Sequence, residues 1–88
     1  MSWDCRLSKA AAKDLARLPR DHQQQIADAL AQMRSDPVGG DVLPIKSGKF
    51  KGALRRRCGR YRIIFSIDTA QDVIEIAAIL IRTEKTYR

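Results

Sequence analysis

The spacing of apolar residues changes along the chain, and each spacing predicts a different element. Residues 3–7 alternate between apolar and polar, as in a short, half-buried strand. Apolar residues then recur at helical spacing in 9–18 and in 20–35, and Pro19 interrupts the pattern between them. Because so few residues join the two segments, we expect an antiparallel helical hairpin. A loop with proline and glycine follows at 36–41.

The second half of the chain has the spacing of strands. Residues 53–58 and 60–67 alternate, and the dipeptide Cys58-Gly59 between them is typical of a tight hairpin turn. Residues 73–81 are apolar at nearly every position, which is typical of a central strand covered on both faces over part of its length. We therefore expect three consecutive strands after the helices.

The predicted order is βααβββ. We expect an α+β fold in which the N-terminal helical hairpin packs on one face of a mainly antiparallel four-stranded sheet. Neither half can bury its apolar face alone, so residues 1–88 are predicted to form a single domain. The helices need the apolar side of the strand at 60–67, formed by Tyr61, Ile63, Phe65 and Ile67. Strand alternation then places Arg55, Arg57 and Arg62 together on the opposite, open face, with cross-strand neighbours about 5 Å apart.

Charge adds a second feature to this face. The segment 46–62 contains eight lysine or arginine residues and no acidic residue, whereas the whole chain has a net charge of +7. The remainder of the chain therefore has a net charge of −1. A concentrated basic surface is suited to phosphate or to an acidic protein. The same arginines can also form a solvated surface whose charge is offset by Glu75 or Asp72. A membrane surface fits less well, because the cations lie on strands and not on an amphipathic helix.

Other classes of function find little support. The two cysteines lie far apart, and one histidine is present, so we expect no metal site and no cofactor. Cys5 is expected to be a small core residue, and His22 a solvated surface residue. No apolar run reaches the roughly 18 residues of a membrane span. Charged residues at Asp4 and Arg6 do not fit a signal peptide, so we expect a cytoplasmic protein without membrane contact.

Several ordered motifs resemble those of the RelE/ParE superfamily of bacterial toxin–antitoxin toxins. They are Leu15-Ala16-Arg17-Leu18-Pro19 ending the first helix, Asp36-Pro37 ending the second, the run RCGRYRIIF from Arg57 to Phe65, and the ending from Arg82 to Tyr87. Together with the order βααβββ, the resemblance covers nearly the whole chain.

The resemblance implies ribosome-dependent cleavage of mRNA in the A site, as in the RelE-like branch. There the ribose 2′-OH attacks the adjacent phosphate and leaves a 2′,3′-cyclic end. By position, Arg62 and Arg82 would stabilise the phosphate, and Tyr87 would stack on a base or transfer a proton. Arg55 stands where active members usually have a lysine.

The sequence departs from the pattern of the active members at Ala53, where they have another lysine. Arginine is a poor proton acceptor, because it does not lose its proton at neutral pH. Lys51 has the same strand parity as Ala53 and can substitute for that lysine if the strand extends past Gly52. Of the remaining cations of the segment, Arg56 is expected to point to the other face of the sheet. The others are assigned to RNA binding and steering: Arg57, Lys49, Lys46 and Arg60.

The resemblance also implies partners. A basic toxin of this kind would form a hetero-oligomer with a cognate RelB-like antitoxin that is acidic and partly disordered. The ribosome and mRNA would be its targets. An alternative is a ParE-like toxin that inhibits DNA gyrase by protein binding without nuclease activity, and a further one is a toxin that has lost activity and persists as a binding module. The convergent arginines favour the nuclease, whereas Ala53 keeps the alternatives open.

Overall fold

A computed structural model describes residues 3–81, which form two helices and five strands. In chain order they are β1 (Asp4–Leu7), α1 (Lys9–Ala16), α2 (Arg20–Ser35), β2 (Val42–Pro44), β3 (Leu54–Cys58), β4 (Tyr61–Asp68) and β5 (Val73–Ile81). The strands make one sheet in the order β1-β5-β4-β3-β2. Every pair is antiparallel except β1 with β5, which is parallel. The α+β class, the helical hairpin and the mainly antiparallel sheet are confirmed.

The predicted number of strands was wrong, because β2 adds a fifth strand at the edge of the sheet. Its three residues pair with β3, with Val42 opposite Arg56 and Pro44 opposite Leu54. Three residues are too few to show an alternating pattern. Proline also argues against a central strand and is tolerated at a sheet edge, where its missing N–H costs no ladder bond. The edge strand therefore had no clear signature in the sequence.

The helical hairpin begins and turns where local chemistry requires it. The Ser8 hydroxyl accepts a hydrogen bond from the Ala11 N–H at 3.0 Å, which caps α1. The same hydroxyl donates to the carbonyl of Ala77 in β5 at 2.9 Å, so the cap also ties the helix to the sheet. Pro19 stands at the N-cap of α2 and ends the preceding helical turn. No helix within residues 3–81 is long and apolar enough to cross a membrane.

The core lies between the two helices and one face of the sheet. Ile26 and Met33 of α2 are fully buried against Ile63 and Phe65 of β4. The face predicted for β4 is thus confirmed, with Ile67 partly buried at its end. Because β4 is the central strand and is paired on both sides, the side chains on its face away from the helices have fixed neighbours on β3 and β5.

A β-bulge in β5 changes which side chains reach the open face. Ile64 pairs with Ala78 and Phe65 with Ile76, so Ala77 has no partner in this register. An extra residue in one strand reverses the alternation beyond it. Ile76 and Ile79 therefore both join the helix-side core, although they are three residues apart. The Asp14 carboxylate of α1 accepts a hydrogen bond from the Ile79 N–H at 3.0 Å and fastens the bulge to the helix layer.

His22 is only partly exposed and has a partner within the fold, contrary to the expectation of a solvated surface residue. Its Nδ1 shares a hydrogen bond of 2.6 Å with the hydroxyl of Tyr61, and the two rings meet edge to face. Tyr61 is 3% exposed, so its phenol needs a polar partner inside the protein. A contact 39 residues away in the chain supplies that partner, which helical spacing alone does not indicate.

We expect Tyr61→Phe to lower the free energy of unfolding by about 1 kcal/mol, the usual net value of one hydrogen bond. Urea denaturation of the wild type, Tyr61→Phe, His22→Ala and the double variant would measure the coupling as a double-mutant cycle. Because the hydrogen bond lies on the helix side of the sheet, activity of the folded protein should be retained. A coupling of zero would show that the hydrogen bond contributes nothing to stability.

Candidate functional site

The open face of the sheet carries the predicted arginines. Arg57 of β3 stands opposite Arg62 of β4, which in turn stands opposite Leu80 of β5. In the neighbouring row Arg55 stands opposite Ile64. All five side chains lie on the side away from the helices, because they alternate with residues of the helix-side core. The sequence therefore predicted this cluster correctly from strand parity.

A cavity of about 360 Å³ opens on this face, between the sheet and the loop that joins β2 to β3. Arg55 and Arg62 line it on the sheet side, with Ile64 and Leu80 as its apolar floor. Among residues 3–81, the lining combines cations, aliphatic groups and one aromatic ring: Pro44, Ile45, Lys46, Ser47, Phe50, Arg55, Arg62, Ile64 and Leu80. None of these lining residues is acidic. Two arginines that line one concavity are suited to an anion with two or more charged oxygens.

Arg57 shares the face with the cavity arginines but does not line the cavity. Its guanidinium lies 3.7 Å from the carboxylate of Asp41, and both side chains are about half exposed. An ion pair that is open to water contributes little stability, yet it offsets part of the charge of Arg57. Arg56 points to the helix side, as predicted, where it donates to the Gln32 side chain of α2 at 2.9 Å and to the Gly39 carbonyl. The convergent pair is therefore Arg55 with Arg62.

The lysines of the basic segment occupy a closed loop before β3. Lys46 lines the cavity, whereas Lys51 is exposed and absent from the lining. The condition under which Lys51 could replace the missing lysine, a strand that extends past Gly52, is not met, because β3 begins at Leu54. Gly52 has a φ of +94°, which is not an extended backbone conformation, and it separates Lys51 from the strand. Lys51 therefore does not share the strand alternation that would have allowed it to replace the lysine missing at Ala53.

Two other RNA-binding candidates stand at the margin of the site. Lys49 is exposed, with its ammonium 5.6 Å from the ring centre of Phe50. Arg60 is exposed in the hairpin turn between β3 and β4, directly after Gly59, whose φ is +59°. A Cβ at Gly59 would meet the amide end of the Gln25 side chain of α2, which places the turn beside that helix. Arg82 and Tyr87 lie outside the described residues.

Phe50 is the aromatic lining residue that sequence reasoning missed. Its signal in the sequence is modest: a single aromatic residue within a basic run, between Gly48 and Gly52. Asp41 was likewise missed as the partner of Arg57, since it belongs to a loop whose path the sequence does not reveal. Leu80 reaches the cavity because of the bulge at Ala77, which has no visible periodic signal.

The cysteines have the character of core residues. Burial raises the pKa of the Cys5 thiol, and burial likewise raises the pKa of the Cys58 thiol despite the opposing influence of Arg56. A raised pKa keeps both groups as neutral thiols, which are weak nucleophiles. Among residues 3–81, no three His, Cys, Asp or Glu side chains come together in a way that could hold a metal ion.

Comparisons with known proteins agree with this geometry. Residues 5–86 match the family model described as the ParE toxin of the type II toxin–antitoxin system parDE. No curated protein sequence matches the chain.

Solved structures of related toxins share the fold. A chain of the RelBE2 toxin–antitoxin complex from Mycobacterium tuberculosis has a TM-score of 0.80 at 22% identity, covering 93% of this chain and 100% of that one. A chain of the archaeal RelE–RelB complex from Pyrococcus horikoshii has a TM-score of 0.80 at 25% identity, covering 96% and 99%. The YoeB/ParE toxin from Agrobacterium tumefaciens has a TM-score of 0.73 at 15% identity, covering 91% and 99%.

The match to the family model spans nearly the whole chain, including β3, β4 and β5, which carry the arginine face. The chain therefore belongs to the ParE toxin family of the RelE/ParE superfamily, and it is a toxin of a type II toxin–antitoxin system.

Proposed function

We propose that this toxin is an endoribonuclease that cleaves mRNA in the ribosomal A site and so inhibits translation in the cytoplasm. The observation that carries the proposal is the meeting of Arg55 and Arg62 in one cavity whose described lining residues include no acidic one. Guanidinium groups remain charged at any working pH and bind phosphate through paired hydrogen bonds. Cleavage of RNA needs such cations, because negative charge increases on the phosphate oxygens in the transition state.

The proposed reaction is a transfer within the RNA. The ribose 2′-oxygen forms a bond to the adjacent phosphorus while the bond to the 5′-oxygen of the next nucleotide breaks. One group removes the 2′ proton and another protonates the leaving oxygen, so that a 2′,3′-cyclic phosphate and a 5′-hydroxyl result. We assign stabilisation of the phosphate to Arg62, Arg55 and Arg82, and stacking or proton transfer to Tyr87. No metal or other cofactor takes part in this proposal.

The lysine that lines the proposed phosphate site is Lys46, and not the expected Lys51. Lys46 lines the cavity together with Arg55 and Arg62, whereas Lys51 lies in the turn outside it. We therefore propose Lys46 ahead of Lys51 as the amine that acts beside the phosphate. Arg57, Lys49 and Arg60 are proposed to contact neighbouring phosphates of the message and to steer it toward the cavity.

We also propose a cognate antitoxin that is RelB-like, acidic and partly disordered, and that forms a hetero-oligomer with the toxin. Two of the structural relatives are described as complexes with RelB-type partners. The charge of the open face supports an acidic occupant, and Leu43 and Leu80 add exposed apolar contacts at 48% and 40% exposure. A segment that covers this face would block the cavity and neutralise the toxin.

Inhibition of DNA gyrase by protein binding is the second candidate. It is favoured by the ParE description of the matching family model and by Ala53 in place of a lysine. A binding inhibitor does not require two arginines that converge in a cavity, which is why we place it second.

Expression of the wild-type toxin would separate these candidates. We expect new 5′ ends within the codons of translated messages, and unchanged supercoiling of a reporter plasmid in the same cells. A reporter message should be cut, whereas the same message without its start codon should stay intact, because cleavage requires the translating ribosome. Altered supercoiling with intact messages would select gyrase inhibition instead. Growth arrest with neither effect would reject both candidates.

A further inference from the structure

The loop between β2 and β3 holds an aromatic ring at the cavity. The Ile45 N–H donates to the Ala53 carbonyl at 2.9 Å, and the Gly52 N–H donates back to the Ile45 carbonyl at 3.0 Å. Within the loop, the Ala53 N–H donates to the carbonyl of Phe50 at 3.0 Å. These hydrogen bonds close the base of the loop, so Phe50 is presented by a defined backbone. The Phe50 side chain is partly buried and borders the cavity.

The cavity has two chemically different parts. Phe50, Ile64 and Leu80 provide aromatic and aliphatic surface, whereas Arg55 and Arg62 provide cations. Its volume of about 360 Å³ lies in the lower part of the range of about 300–1,000 Å³ typical of small-ligand pockets. A molecule that fills it would combine a flat apolar group with an anionic one. A nucleotide has this combination in its base and its phosphate.

We propose that the cavity binds one unstacked nucleotide of single-stranded RNA, with the base against Phe50 and its phosphate on Arg55 and Arg62. This inference rests on the proposed function and deepens it, since it makes Phe50 a residue that contacts the base. Proteins that bind single-stranded nucleic acid commonly stack bases on aromatic side chains within a basic groove. The Lys49 ammonium lies over the Phe50 ring, 5.6 Å from its centre, so a further cation stands beside the proposed base contact.

Phe50 also has a consequence for sequence preference. The phosphates of all four nucleotides are identical, so Arg55 and Arg62 cannot distinguish one base from another. In contrast, the Phe50 ring contacts the base, and the space above Ile64 and Leu80 limits how large that base can be. Differences among codons at this position of the message should therefore depend on Phe50, whereas the overall rate should depend on the arginines.

A short single-stranded oligoribonucleotide with one 2-aminopurine tests this directly. Replacing its ribose 2′-hydroxyls by 2′-deoxy positions removes the attacking group and prevents cleavage. Fluorescence titration should show binding by the wild-type toxin and affinity reduced about five- to tenfold by Phe50→Leu. Phe50→Tyr keeps a ring and should bind within about twofold of the wild type. Val38→Ala removes apolar surface at a site outside the cavity lining and should leave binding unchanged.

The salt dependence distinguishes stacking from charge. Phe50→Leu should keep the wild-type slope of log affinity against log salt concentration, because the phosphate contacts remain, whereas Arg62→Ala should reduce that slope. Thermal unfolding of each variant confirms that it is folded. Absence of binding by the wild type, unchanged affinity in Phe50→Leu, or a reduced slope in that variant would overturn the proposal.

The two proposals can fail separately. If Phe50→Leu loses affinity for the oligonucleotide but wild-type toxin cuts no message, the nucleotide site stands and the nuclease does not. If the wild type cuts messages and Phe50→Leu leaves both oligonucleotide affinity and the ranking of cleaved codons unchanged, the nuclease stands and the base contact does not.

Discussion

Arg62→Ala should relieve growth arrest and lower mRNA cleavage on translating ribosomes by at least about a hundredfold, the usual effect of removing one donor that stabilises transition-state charge. Arg62 is central to the open face, between Arg57 and Leu80 in the register of the sheet. It also lines the cavity together with Arg55. Quantitative 5′-end mapping after induction would measure the loss.

Two further variants make this experiment specific. Arg20→Ala removes the same charge from an exposed position on the helix layer and should keep full toxicity. Arg62→Lys keeps the charge but loses the paired donors, so its activity should fall between that of the wild type and Arg62→Ala. Since Arg62 is not part of the helix-side core, circular dichroism should show native folding in all three. Undiminished toxicity of a folded Arg62→Ala variant would remove Arg62 from the site.

Phe65→Ala should remove a large part of the stability of the isolated toxin. Phe65 is 0% exposed at the centre of the helix-side core, and truncating a buried phenylalanine to alanine costs about 3–5 kcal/mol. A chain of 88 residues has a total stability of roughly 4–13 kcal/mol at the usual values per residue. The loss is therefore a large part of the whole. Urea denaturation followed by circular dichroism would give the difference in the free energy of unfolding.

Val38→Ala is the matched control for this measurement. Val38 is 60% exposed in the loop before β2, so its truncation should change the free energy of unfolding by less than about 0.5 kcal/mol. A midpoint for Phe65→Ala close to that of the wild type would contradict the packing described for β4.

Strand parity explains why the arginine face was predictable. Arg55, Arg57 and Arg62 stand at alternating positions of β3 and β4, and a single hairpin turn at Gly59 sets their register. Apolar residues on the other face of β4 indicate which side the helices cover. The register set by the turn and the apolar alternation of β4 are both determined by residues close together in the chain. The residues of the open face can therefore be predicted without knowledge of any distant contact.

The surroundings of those arginines were not predictable in the same way. Lys51 seemed to share the parity of the strand, but the positive φ of Gly52 separates it from β3, and Lys46 takes the place at the cavity. Phe50 borders the same cavity as Arg55 and Arg62 because the loop lies over this face of the sheet. A loop closed by a few hydrogen bonds leaves no periodic pattern, so the sequence indicates its residues but not the direction in which they point.

By itself, the sequence determined both helices, the three long consecutive strands, the helix-side face of β4 and the concentration of charge on the other face. These features follow from periods of 3.6 and two residues, which neighbouring residues establish locally. The tertiary structure alone decided the edge strand β2, the bulge at Ala77 that turns Leu80 toward Arg62, and the pairing of His22 with Tyr61. Each of these depends on groups far apart in the chain, or on one extra residue that reverses the alternation, and a local period cannot encode either.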